Sequence, residues 1–103
     1  MDRTDVMGIL KTDLHISVDE TSTRGGQIIT LLDSLISKAE AEISIFGITL
    51  DYNDVGDVML VESYTAWMYR VRNQLTGNNA MPDYLRLSMN NRLFHEKAGE
   101  SNA

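Results

Sequence analysis

The densest set of possible ligands in the chain is the run Asp51-Tyr52-Asn53-Asp54-Val55-Gly56-Asp57-Val58-Met59-Leu60-Val61-Glu62. A calcium loop between two helices needs oxygen donors at its first, third, fifth and twelfth positions and a glycine at the sixth. Asp51, Asn53, Gly56 and Glu62 meet that pattern, but Val55 stands at the fifth position and has no side-chain oxygen. No second loop pairs with it. The run is therefore a weak calcium-loop mimic, and plain helix capping uses the same Asp, Asn and Gly letters. Asp54, Asp57 and Glu62 form the one close carboxylate group, which reads as a solvated acidic rim. Glu40 and Glu42 are two residues apart, fall on different sides of a helix, and do not make an acid–base pair.

The remaining chemistry is sparse. His15 and His95 are the two histidines, and no H-E-x-x-H spacing brings a pair to one helical face for zinc. The absence of cysteine removes disulfide scaffolds, thiol catalysis and thiolate metal sites. No G-x-S-x-G elbow positions a serine nucleophile. Neither glycine pattern that cradles phosphate occurs, and a single Arg24-Gly25-Gly26 is no RNA-binding repeat. Tyr64, Trp67 and Tyr69 recur at helical spacing, as core or interface aromatics do. The expectation is a protein that is not an enzyme and uses no cofactor and no metal.

The 103 residues make one domain whose stability margin is thin, so self-association would help it. The net charge of −6 is unevenly placed: residues 1–69 hold four Lys/Arg against twelve Asp/Glu, and residues 70–103 hold five against three. Arg70 and Arg72 point to nearly opposite sides of a helix, and Arg86 and Arg92 are out of phase. No basic stripe forms, so sequence-reading of DNA is not expected. No apolar run approaches the ~20 residues that cross a bilayer. The opening Met1-Asp2-Arg3-Thr4-Asp5 lacks the basic-then-apolar order of a signal peptide, which leads us to expect a cytosolic product without a membrane partner.

Positioning falls to four predicted helices in an all-α bundle over residues 1–95, with 96–103 as a disordered tail. The first covers Asp5–Leu14, broken by Gly8, with Val6, Ile9, Leu10 and Leu14 as its apolar side. The second begins somewhere in the cap-rich 17–23 connection and runs to about Phe46. Its arc Ile28, Ile29, Leu31, Leu32, Leu35, Ile36, Ala39, Ile43 and Phe46 opposes Thr30, Asp33, Ser34, Ser37, Glu40 and Ser44. Gly47 ends it, and 48–50 is a possible short extended piece. The third, about 54–75, carries Leu60, Val61, Tyr64, Trp67, Met68, Val71 and Leu75 as one stripe. Val58, Met59, Ala66 and Tyr69 lie outside that stripe, so this helix is read as central. Thr76-Gly77-Asn78-Asn79 turns the chain, and Pro82 suits the first position of the fourth helix. There Leu85, Met89 and Leu93 form one stripe, and Leu87 and Phe94 form another.

Several of these segments resemble a known family. Ala66-Trp67-Met68-Tyr69-Arg70-Val71-Arg72, then Met81-Pro82-Asp83-Tyr84-Leu85-Arg86, then Asn90-Asn91-Arg92-Leu93-Phe94 resemble the end of the gp6-like head–tail connector proteins of tailed phages and prophages. Leu10-Lys11-Thr12-Asp13-Leu14 and the helix running into Ala39-Glu40-Ala41-Glu42-Ile43 are similar to the family's first half. The Gly25-Gly26 pair and the acidic 51–57 segment depart from it.

The resemblance implies a structural protein of the virion neck, made in the bacterial cytoplasm. It implies a homo-oligomeric ring, a dodecamer on the portal, that extends the channel after packaging and offers a docking surface to the next neck or tail-completion protein. Packaged DNA would pass through without sequence-specific binding. Tyr64, Trp67, Val71, Arg86, Leu87, Arg92 and Phe94 are the expected partner-interface residues, the first three lying between subunits or against the fourth helix. Two other readings fit the residues: a small acidic helical interaction module in the cytosol, and a calcium-responsive helix pair.

Overall fold

The computed structural model describes residues 3–14, 23–71 and 81–101, the last three by backbone alone. It contains α1 (Arg3–Asp13), α2 (Thr23–Phe46), α3 (Val55–Val71) and α4 (Asp83–Ser101), with no strand among the described residues. The all-α architecture is as expected. The segment 48–50 is irregular, α1 runs through Gly8 without a break, and α4 is helical to Ser101 where a tail was expected. His15, most of the 17–23 connection, Leu75, and the 76–79 turn lie outside the described residues.

The central helix is α3, which packs against α1, α2 and α4. Its sequence dictates this: Val58, Leu60, Val61, Tyr64, Ala66 and Met68 are buried and surround most of its circumference, so apolar surface must be covered from more than one side. From α2, Leu32, Ile36, Ala39 and Ile43 supply the facing stripe; from α1, Val6 and Leu10. The apolar arc of α2 is wider than its buried stripe, and Leu31 and Phe46 stay exposed. The molecule is 19 Å across its thinnest direction, about two helix diameters. Two layers cannot enclose a central helix all round.

Two local devices place α4. Gly47 has φ +112°, and the amides of Gly47 and Ile48 donate to the carbonyls of Ser44 at 3.0 Å and Ile43 at 3.4 Å. That paired left-handed ending closes α2, and the buried Ile48 packs against the same core as Ile43. A Cβ at Gly47 would lie 3.2 Å from Leu93 Cδ1, so the glycine also admits α4. Pro82 sits one position before α4, where its carbonyl accepts from the amides of Leu85 at 3.1 Å and Arg86 at 3.0 Å.

Candidate functional site

The acidic run 51–57 is a turn that starts α3. Asp51 Oδ1 accepts from the Asn53 amide at 2.9 Å, and Asp54 Oδ1 accepts from the Gly56 amide at 2.8 Å. Among the described residues no three acidic or histidine side chains converge on a metal position. Asp51 and Asn53 serve the turn, whereas Glu62 lies two helical turns along α3 and faces α1.

The expected solvated rim is corrected by burial: Asp57 is 1% exposed and Glu62 3%. Asp57 sits in the first turn of α3, where the helix dipole favours negative charge. Its carboxylate accepts from Arg92 Nε at 2.7 Å, from Arg92 Nη2 at 3.2 Å and from the Asp51 amide at 2.9 Å. Arg92 also donates from Nη2 to the Thr49 carbonyl at 2.7 Å and from Nη1 to Glu96 at 2.9 Å. One guanidinium thus fastens α4 to the start of α3 and to the 49–51 segment. Hydrogen bonding to Asp57 drives the Arg92 pKa upward, and hydrogen bonding from Arg92 holds Glu96 below the usual carboxylate range.

A second polar chain joins α1 to α2. Arg3 Nη2 donates to the Asp33 carbonyl at 2.7 Å and to Ser37 Oγ at 2.6 Å, with Glu40 3.5 Å from Nη1. Glu40 in turn accepts from the Tyr52 hydroxyl. Burial, then the hydrogen bond to Glu40 and its charge, push the Tyr52 pKa up.

Glu62 has no such partner. Its carboxyl shares a hydrogen bond with Asp13 of α1, and Arg70 pairs with Asp13 at 3.3 Å. Glu62 Oε1 is buried with no hydrogen-bond partner. Burial, then the shared bond and the charge of Asp13, push Glu62 up to about 7, with Arg70 opposing. Above it opens a cleft of about 760 Å³ between α1 and α3.

The expected interface residues divide into three groups. Tyr64 is buried and meets Trp67 edge-on, with ring centroids 5.6 Å apart at 86°. With half-buried Trp67 and Val71 it lines a cleft shared with Leu35, Lys38 and Glu42 of α2. These three residues lie beside α2, and Trp67 and Val71 keep part of their surface exposed. Arg92, expected at the partner interface, is engaged within the domain by Asp57, Glu96 and the Thr49 carbonyl. Arg86 stays at the surface, 2.6 Å from Asp83 one turn back.

Leu87 and Phe94 form the third group, 60% and 72% exposed, while Leu85 and Met89 on the opposite side of α4 are 0% and 2% exposed. Tyr84, 55% exposed, extends the outer face. The two apolar stripes of α4 therefore meet different surroundings: one is core and the other is largely exposed.

No family model, no curated protein and no solved structure matches the chain. Among the described residues no helix is long and apolar enough to cross a membrane.

The buried charges were missed although a signal existed. Asp57 precedes Val61, Tyr64 and Met68 at four, seven and eleven residues, and Arg92 follows Met89 and Leu85 at three and seven. Both sit on stripe positions. Opposite charges on the buried stripes of two helices are a pairing signal.

Proposed function

We propose that this protein is a head–tail connector that docks through the outer face of α4 onto a portal vertex. It would form a closed head-to-tail ring there and present a surface to the next neck protein. The reading rests on the resemblance of residues 66–72, 81–86 and 90–94 to that family. The observation that supports it best is the uncovered pair Leu87 and Phe94 on a helix whose other face is packed. A ring requires different patches on each subunit to meet across one interface, and an exposed apolar stripe on a fixed helix is suited to supply one. The acidic balance of residues 1–69 suits a channel that DNA must cross without sticking.

The test is binding to purified DNA-filled capsids that carry a portal and lack a tail, followed by sedimentation and electron microscopy of the vertex. The wild-type protein is expected to add a collar beneath the portal. Leu87→Glu with Phe94→Glu is expected to abolish it while leaving the helical circular dichroism unchanged. A folded double variant that still forms the collar would place the docking surface elsewhere. The same stripe also suits a small acidic interaction module in the cytosol. That reading gains if wild-type protein ignores the portal and its gene has no portal or capsid genes beside it.

A further inference from the structure

The outer face of α4 has a regular spacing as well as an apolar surface. Tyr84, Leu87, Asn91 and Phe94 follow one another at intervals of three, four and three residues, the a–d spacing of a two-stranded coiled coil. At 100° per residue they share an arc of about 80°, and all four are exposed. Leu85, Met89 and Arg92, which pack on the domain, lie on the opposite side of the helix. The body of the domain therefore leaves room for a second helix along this seam. Asn91 is the seam's one polar member. A lone asparagine at such a position lowers affinity and fixes the register of a helix pair.

The flanks of the seam show which helix fits it. Asp83 and Lys97 are exposed on the same flank, one at each end. When two copies of α4 run antiparallel with Tyr84 level with Phe94 of the second copy, Leu87 comes level with Asn91 of the second copy. A two-fold axis across the helices keeps each flank beside its own equivalent. Asp83 then faces Lys97 of the second copy, and Lys97 faces its Asp83. Ser88 sits within one residue's rise, about 1.5 Å, of Asn91 of the second copy and on the same side of the seam, so the asparagine amide can donate to the serine hydroxyl oxygen. No like charges face each other along either flank. In a parallel pair Asp83 would face Ser88 and Asn90 would face His95, which brings no opposite charges together. The charges at the two ends of the seam complement each other only when the second helix is another α4 turned end for end, and charges on the flanks are what set partner and orientation in such pairs.

We propose that the outer face of α4 pairs antiparallel with the same face of a second copy of this chain, covering Tyr84, Leu87 and Phe94 in an isologous dimer. Such a pair closes at two copies and so differs from a head-to-tail ring. It is a storage form, which hides the docking stripe until a partner displaces one copy. The pairing stands whether or not the protein is a connector. The seam spans only two heptads, a small contact beside a standard interface. Its dissociation constant is therefore expected on the order of 100 µM, with monomer prevailing at micromolar concentration.

Sedimentation equilibrium of the full chain in low salt, from about 10 µM to about 1 mM and with no capsid present, reads the pairing directly. The wild-type protein is expected to pass from monomer to dimer over that range and to stop there. Leu87→Glu with Phe94→Glu is expected to stay monomeric while keeping the helical circular dichroism. Asp83→Lys and Lys97→Glu each set like charges against each other at both ends of the seam. Each alone is expected to weaken self-association about fivefold at low salt. An equimolar mixture of the two variants is expected to restore it, because opposite charges then meet at both ends. Neither a parallel pair nor a mere folding defect would be rescued by mixing. Any of three results overturns the proposal: monomer throughout the range, dimer formed by the folded double-glutamate variant, or a mixture that associates no better than its separate components. Collar formation on capsids is read separately, so the failure of either reading is told apart from the failure of the other.

Discussion

Asp57 and Glu62 are buried carboxylates five residues apart on one helix, and they have opposite fates. Asp57 receives two bonds from Arg92 and one from a backbone amide, so its charge is fully met. Glu62 is buried against another carboxyl, with one oxygen unmet, and it holds its proton to about pH 7. Burial alone does not decide what a carboxylate does. A correctly placed guanidinium converts Asp57 into a fastening, whereas the lack of one leaves Glu62 as a buried proton-binding group.

The largest expected effect comes from breaking the Asp57 side. Arg92→Met leaves a carboxylate 1% exposed with one remaining amide donor, and is expected to cost about 3–5 kcal/mol. In a domain of this size that lowers the melting temperature by more than about 10 °C. Arg92→Lys is expected to recover only part of the loss, since an ammonium cannot make the paired contact. A double-mutant cycle with Asp57→Asn checks the assignment, and additive single effects would show that the two side chains are not coupled.

The Glu62 side is expected to respond with opposite sign. Its pKa rises from the ordinary 4.5 to about 7 on folding, so the folded state holds a proton that the unfolded state releases. The burden is absent below about pH 4.5, grows between 4.5 and 7, and is complete above 7. Glu62→Gln is therefore expected to stabilise the protein at pH 8 by about 1–2 kcal/mol and to change little at pH 4. This is less than the full shift implies, because the carboxyl borders a cleft open to solvent. Urea melts at the two pH values measure it, and equal effects at both would remove the contrast between the two carboxylates.

The smallest effect sharpens the comparison from outside. Leu87→Ser with Phe94→Ser removes exposed apolar area that this domain does not bury, so stability is expected to change by no more than about 0.5 kcal/mol. A loss above 2 kcal/mol would mean that this face packs on the protein's own chain.

The helical plan was legible because its signals are local. The stripe of α2, the all-round apolarity of α3 and the two faces of α4 follow from spacing within single helices, and Gly47 announced the end of α2. The Asp57–Arg92 clamp was not read because it joins residues 35 apart, and acidic letters beside a helix start resemble ordinary caps. Glu62 was placed on a solvated rim for the same reason. Only the position of α1 across α3 makes it buried. Trp67 was expected between subunits or against the fourth helix, and its pairing with Tyr64 beside α2 was not read because it depends on which neighbour α3 meets there.

Arg92 also acts as a key in a keyway. Because it holds α4 at one angular setting, with Leu85 and Met89 inward, it fixes the azimuth at which Leu87 and Phe94 leave the surface. Each residue of an α-helix advances that azimuth by about 100°. Deleting a single residue between Leu87 and Arg92 would leave Phe94 in phase and rotate Leu87 away from it, splitting one patch into two directions. For folding, substitutions along the outer face should therefore be tolerated far more readily than any change of length between residues 85 and 94.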